Sequence, residues 1–267
     1  MKLDEARVVL RPRSSSELID LALRFMSEAG GKHYMTIGLL TSLPAWACCV
    51  AARWALGWEW PAVWMLAFAF ATPLQGLYTI AVGKLMFAED VRLREIFGQF
   101  VRRLPAYLVT LLLTRALLGL AGLLFFLVIP PFWMLARVTY VHEACLLEQA
   151  SPVDAITRAS RMIAGNVMGA VGFVLLLLAG ASGYVMIAEL LINDGLLDFM
   201  LQLGKPFGSL LDEGGSAAAL LGLFASLPFW STARFLAYID LRTRRDGWDV
   251  QLRFMAIAAR AEEASRA

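Results

Sequence analysis

Apolar residues run along this chain in six long blocks, at about 33–56, 61–87, 105–127, 132–148, 167–191 and 217–240. Between them lie segments where apolar residues recur at helical spacing among Lys, Arg, Asp and Glu. An apolar block of about 20 residues crosses a bilayer core as a helix. Inside lipid the backbone must satisfy its own hydrogen bonds, which leaves helices or a closed barrel. The blocks lack the two-residue alternation of barrel strands. They predict an all-α integral membrane protein with six transmembrane helices. Pro44 marks a kink in the first span. Trp54, Trp58, Trp60 and Trp64 surround the turn to the second as an aromatic belt at headgroup level.

The amphipathic segments have their own start signals. Ser14 and Glu17 read as a capping box, and Leu18, Leu21, Ala22 and Phe25 then fall on one helical face, with Gly30-Gly31 as the stop. This predicts a surface helix over 14–29. Leu93, Ile96, Phe97, Phe100, Val101 and Leu104 form a second apolar stripe beside Arg92, Arg94, Arg102 and Arg103, and Pro105 opens the third span. Ile129-Pro130-Pro131 reads as a tight turn. Ser151 as N-cap, Pro152 at the first helical position and Asp154 two residues on mark a third surface helix. A short amphipathic piece is expected from Leu196 to Leu203. Asp246-Gly247 ends the sixth span, and Trp248, Leu252, Met255, Ala256 and Ala259 give a closing surface helix. The organisation is therefore a cytoplasmic tail and helix over 1–32, a membrane domain over 33–241 and a carboxy-terminal helix over 242–267. A surface helix precedes a pair of spans three times, which has the form of an approximate internal repeat; convergence without duplication gives the same layout.

Composition agrees with this class: 59% of residues are hydrophobic and 17% charged, against about 45–50% and about 25% in soluble domains. The net charge of +2 says little, but its placement orients the chain. Segments 1–32, 84–104, 149–164 and 242–267 hold 19 Lys and Arg, and the opposite side holds only Arg53 and Lys205. By the positive-inside rule both termini are expected to be cytoplasmic. The first apolar block begins only near His33, so a cleavable signal is not expected. Basic surface helices on the inner leaflet attract anionic headgroups by about 1 kcal/mol per Lys or Arg. Expected partners are the bilayer, its anionic lipids, and membrane or cytoplasmic proteins, not nucleic acid.

Ionisable residues inside a span are functional candidates by default. They are Arg115 in the third span, Arg137 and Glu143 in the fourth with Tyr140 and His142 between them, and Arg234 in the sixth. Arg115 and Glu143 are expected at similar depth on adjacent antiparallel helices and are predicted to pair, either as part of a polar path or as a structural ion pair that fixes register. His142 has the pKa range of a proton carrier. One His beside one Glu is too few ligands for zinc, and no metal or cofactor is expected. Cys48, Cys49 and Cys145 have no ligand or disulfide spacing and read as small apolar residues. There is no Gly-x-Ser-x-Gly elbow and no phosphate-binding glycine loop.

Three stretches carry a resemblance. They are Leu10-Arg11-Pro12-Arg13 running into Ile19-Asp20-Leu21, Ser151-Pro152 running into Arg158-Ala159-Ser160-Arg161, and the stretch from Tyr238 through Asp240, Arg242, Arg244, Arg245, Asp246 and Gly247 to Asp249. The last resembles the ending of a broad bacterial group of multi-pass proteins related to the membrane domain of glycerophosphodiester phosphodiesterases, with Asp246 where Glu is usual. The resemblance implies an inner-membrane protein. In the fused enzymes of that group the chemistry belongs to a separate soluble barrel, which is absent from these 267 residues, so no phosphodiesterase activity is implied. The ending itself mixes both charge signs at the cytoplasmic boundary, as a docking point or as a corner held by local ion pairs.

Three functions fit. The first is a non-enzymatic scaffold or accessory subunit working through its cytoplasmic surface helices. The second is a transporter or lipid-handling protein with a polar cavity around Arg115, Arg137, Glu143 and Arg234. The third is an intramembrane enzyme using His142 and Glu143 as acid and base. The charge bias itself makes a prediction: a carboxy-terminal fusion to a reporter that matures only in the cytoplasm is active. Activity only of a reporter that requires export overturns the orientation.

Overall fold

The computed structural model describes residues 13–86, 91–124 and 129–246. The predicted carboxy-terminal helix, with Gly247 and Asp249, lies outside them, as do Leu10-Arg11-Pro12. Helix α1 runs Ser15–Trp54, α2 Trp60–Leu85 and α3 Leu93–Gly122. Two short helices follow, α4 Ile129–Val138 and α5 Val141–Leu146, then α6 Pro152–Ile163. Helix α7 runs Val167–Met200 and is π-helical from Glu189. A small antiparallel ladder, β1 Gly208–Ser209 with β2 Gly215–Ser216, encloses α8 Leu210–Glu213. Helices α9 Ala217–Ala225 and α10 Leu227–Asp246 complete the described chain.

Among the described residues, five helices are long and apolar enough to cross a membrane: α1, α2, α3, α7 and the α9–α10 run over Ala217–Arg244. They leave large apolar side chains facing outward in mid-helix, such as Met65, Leu112 and Leu191, each more than half exposed. Water tolerates few such contiguous faces; lipid requires them. Helix α10 is the opposite case. It is sheathed by α1, α2, α7 and α9, and Ser231, Thr232, Arg234, Phe235 and Tyr238 are all buried.

The structure departs from the predicted segmentation at four places. The surface helix over 14–29 and the first span are one helix, because Gly30-Gly31 does not stop it. The ring of Tyr34 lies directly over Gly30, where a Cβ would collide with it, so the glycine serves close approach rather than chain reversal. The helix bends instead. Arg13 reaches Asp240 and Tyr34 reaches Thr232, eight residues or about 12 Å apart along α10, whereas a straight helix would separate Arg13 and Tyr34 by about 30 Å. π-helical turns at Met26–Gly30 and Gly38–Ser42 interrupt α1, and the second ends beside Pro44, the predicted kink, whose missing N–H breaks the ladder. The second amphipathic stripe likewise continues through Pro105 into α3. Ile129-Pro130-Pro131 opens α4 rather than forming a turn, since prolines suit the first helical turn. The block at 132–148 is two helices broken at Thr139-Tyr140, where Tyr140 leaves helical geometry at φ −93 and ψ 16. Beyond these, the fifth block's helix runs on through the predicted Leu196 piece as far as Met200.

The third surface helix forms as its cap predicts. Ser151 Oγ accepts from the Asp154 amide at 3.3 Å, and α6 buries Ala155, Ala159 and Ile163. Helices α7 and α9 pack so closely that a Cβ on Gly222 would lie 2.5 Å from the Tyr184 carbonyl oxygen and 2.7 Å from Val185 Cα. Both are backbone atoms that cannot rotate away. Gly222→Ala is expected to cost about 1–3 kcal/mol, read as a fall of several degrees in Tm in detergent. Gly183→Ala, whose Cβ meets nothing within 4 Å, is the matched control and leaves Tm unchanged. Equal effects of the two would refute this packing.

Candidate functional site

One helix organises the polar interior. Along α10, Ser231, Arg234, Tyr238 and Arg242 fall at intervals of three, four and four residues and so share a face. The guanidinium of Arg234 is 2% exposed. Its Nε donates to Glu143 Oε1 at 2.7 Å, Nη1 to Gln75 Oε1 at 2.8 Å and Nη2 to Thr79 Oγ1 at 3.0 Å. Ser231 Oγ donates to the Gln75 carbonyl oxygen at 3.2 Å. Helix α5 supplies Glu143, which is fully buried, and its second oxygen, Oε2, has no hydrogen-bond partner among the described residues. An ion pair taken out of water repays its desolvation only with good geometry and further hydrogen bonds; here one guanidinium has three acceptors on two helices.

A second cluster lies beside it. The Tyr107 hydroxyl is 2.6 Å from His142 Nδ1 and 3.3 Å from the Thr72 carbonyl oxygen. Arg115 Nη2 donates to Thr72 Oγ1 at 2.6 Å. Arg137 stacks over Trp133, with Cζ 4.1 Å from the ring centroid, and its Nε has no partner among the described residues.

The predicted Arg115–Glu143 pair is therefore corrected: Glu143 pairs with Arg234, and Arg115 meets a threonine hydroxyl. The break at Thr139-Tyr140 is the reason. It sets α5 apart from α4, so Glu143 turns toward α2 and α10, while α3 meets α5 through Gln99, Thr110 and, opposite His142, Tyr107. Arg115 is eight residues, or about 12 Å, farther along α3. Likewise His142 and Glu143 are neighbours in sequence whose side chains engage different partners.

The boundary motif closes the end of the bundle at which Arg13 lies. Tyr238 Oη donates to Glu148 Oε1, which also accepts from Arg242 Nη1 at 2.8 Å, and Arg158 Nη1 donates to Glu148 Oε2 at 2.9 Å. Glu148 lies beyond the end of α5. Burial pushes its carboxyl up, but the Tyr238 and Arg158 hydrogen bonds with the Arg242 charge outweigh this and hold it below the ordinary carboxylate value. On the next face of α10, Asp240 Oδ1 accepts the Arg13 amide at 2.8 Å and Oδ2 accepts Arg244 Nε at 2.9 Å, while Arg244 Nη2 donates to the Arg13 carbonyl oxygen. Arg13 of the first stretch thus bonds Asp240 and Arg244 of the third, and Arg158 of the second shares Glu148 with Tyr238 and Arg242. The side chains of Arg245 and Asp246 lie outside the description.

Sequence reading missed several members. Thr72, Gln75 and Thr79 recur at helical spacing within an apolar span, a signal that could have found them. Glu148 and Glu189 sit at the ends of predicted blocks and pass as boundary residues. Glu189 is buried at the opposite end of the bundle, where it accepts from Asn193 Nδ2 and the Leu210 amide, both at 2.9 Å, and from Ser216 Oγ. Trp46 and Trp64 donate to the carbonyl oxygens of Ala217 and Gly214 at 2.8 and 2.9 Å, so indoles brace the segment around the β1–β2 ladder. Among the described residues no three His, Cys, Asp or Glu side chains gather as a metal site. Comparison with protein-family models, with curated proteins and with solved structures finds no match.

Removing one member of the central pair strands a buried charge. Arg234→Met alone is expected to cost about 3–5 kcal/mol, a Tm lower by roughly 10 °C, and Arg234→Met with Glu143→Met to recover most of it. Thermal unfolding in detergent decides. A single variant as stable as the double would refute the pair's structural role.

Proposed function

We propose that the protein is a non-enzymatic inner-membrane scaffold or accessory subunit that engages anionic lipids and partner proteins through its cytoplasmic face. The observation that carries this reading is the sealed Glu143–Arg234 pair. Its charges are used on helix register and are shut off from solvent, as a polar transport path would not be. The corner where Tyr238, Asp240, Arg242 and Arg244 clasp Arg13 and Glu148 supports it too, as does the resemblance of the chain's ending to the multi-pass bacterial group.

The same reading includes six crossings with both termini cytoplasmic. Arg13 and Asp240 are in contact, so the two ends of the described chain share a side, and an even number of crossings follows. Five long helices supply an odd number. The α4–α5 pair supplies the sixth: 129–146 spans about 27 Å when helical, close to a hydrocarbon core of about 30 Å, and Gln99 and Arg103 of α3 bond back to Leu146 and Gln149 at its far end.

A second reading, a transporter or lipid-handling protein, draws on Arg115 and Arg137. Arg115 is exposed in mid-span and Arg137 Nε has no partner among the described residues. The third, an enzyme, would need His142 and Glu143 on one reacting atom, whereas they engage Tyr107 and Arg234. Purification in a gentle detergent, with retained lipids and proteins identified by mass spectrometry, separates the first two. The scaffold reading expects a reproducible stoichiometric protein partner, lost on truncation of 242–267. Retention of a small polar solute with no protein partner would overturn it in favour of transport.

A further inference from the structure

A cavity of about 480 Å³ opens at the cytoplasmic corner, between the starts of α1 and α7 and the end of α10. This is within the range of small-ligand sites. Two helices of the bundle point their amino termini into it. Ser14 caps α1 by accepting the Glu17 amide at 3.3 Å, and Asn166 caps α7 by accepting the Gly169 amide at 3.1 Å. Each cap satisfies one first-turn amide and leaves others without an intrahelical acceptor. Those amides carry the positive end of the helix dipole, which is a setting for a bound oxyanion. The charged residues that line the cavity are Arg13, Arg244 and Asp240. Both Asp240 oxygens already accept, one from the Arg13 amide and one from Arg244, so the carboxylate is engaged away from a ligand.

The independent observation is Tyr140. It lines the cavity and is only 4% exposed, yet its hydroxyl has no hydrogen-bond partner among the described residues. The hydroxyl oxygen is not among the fully buried atoms without a partner, so the cavity reaches it and a ligand there can bond it. The break between α4 and α5 puts it there. The remaining wall is apolar, with Leu18 and Phe173 facing the same space. An amphipathic ligand is therefore indicated: an oxyanion for the helix ends, the arginines and the tyrosine, and a hydrocarbon part for the apolar wall.

We propose that this cavity binds the phosphate headgroup of an anionic phospholipid from the inner leaflet. This deepens the scaffold reading and rests on it only for the cytoplasmic placement. A soluble phosphate ester offers the same oxyanion without the chain, and the test separates the two.

The full chain is reconstituted in nanodiscs of phosphatidylcholine with a small fraction of phosphatidylglycerol, and retained phosphatidylglycerol is counted by native mass spectrometry. One molecule per chain is expected. Tyr140→Phe should weaken retention about tenfold, the scale of a hydrogen bond to a charged group. Ala170→Phe, which fills the cavity without touching a polar group, should abolish it, and it stands in if Tyr140→Phe does not fold. Arg94→Gln, on another part of the basic face, should change nothing. Glycerol phosphate at millimolar concentration should not displace the lipid; displacement would overturn the lipid assignment in favour of a soluble ester. Equal losses from Arg94→Gln and Tyr140→Phe would mean diffuse charge attraction and overturn the pocket, leaving the scaffold reading standing. Absence of a protein partner in the detergent purification would do the reverse.

Discussion

A guanidinium and a carboxylate 2.7 Å apart, neither reached by solvent, set the terms for the rest of this bundle. In such surroundings either charge alone is untenable, so the helices carrying Arg234 and Glu143 must meet at that level and no other. Gln75 and Thr79 extend the constraint to α2, because the two outer nitrogens of Arg234 need acceptors as well. The break at Thr139-Tyr140 is part of the same solution. A continuous helix over 132–148 would keep the heading of α4, and it is α5, set off from it, that presents Glu143 to α10.

From that centre α10 works as a spine with two faces. The face of Ser231, Arg234, Tyr238 and Arg242 meets α2, α5 and Glu148. The face of Thr232, Asp240 and Arg244 meets α1 at Tyr34 and Arg13. Both contacts with α1 are possible only because α1 bends. Its π-helical turns and Gly30 are therefore tied to the corner, even though they lie well away from it in sequence. At the other end of the bundle Glu189 and the indoles hold the β1–β2 ladder, so each end has its own polar fastening around an interior sealed at its middle.

This distribution bears on function. The polar groups of the centre are largely spent on one another. The corner instead brings together two helix amino termini, Arg13, Arg244 and the Tyr140 hydroxyl around one cavity. On the proposed scaffold reading, a protein closed at its middle and receptive at one corner is suited to work on the membrane surface.

Much of this was legible in the residues. Apolar block length and composition are local properties, and they gave the membrane class and most of the long helices. The Ser151-Pro152-Asp154 start gave α6, because a cap is made within one turn. The candidates Arg234 and Glu143 were found because charge inside an apolar run stands out, and the Tyr238–Arg244 stretch through its resemblance. Their pairing was not legible. Depth along ideal straight helices matched Glu143 with Arg115, and that arithmetic fails when Tyr140 breaks one helix and Gly30 lets another bend without stopping. The sequence by itself determined which segments leave water, since that follows from transfer free energies summed over neighbouring residues. Only the tertiary structure decided which buried charge meets which, and that a lone tyrosine hydroxyl faces a cavity, because these depend on where helices bend and break.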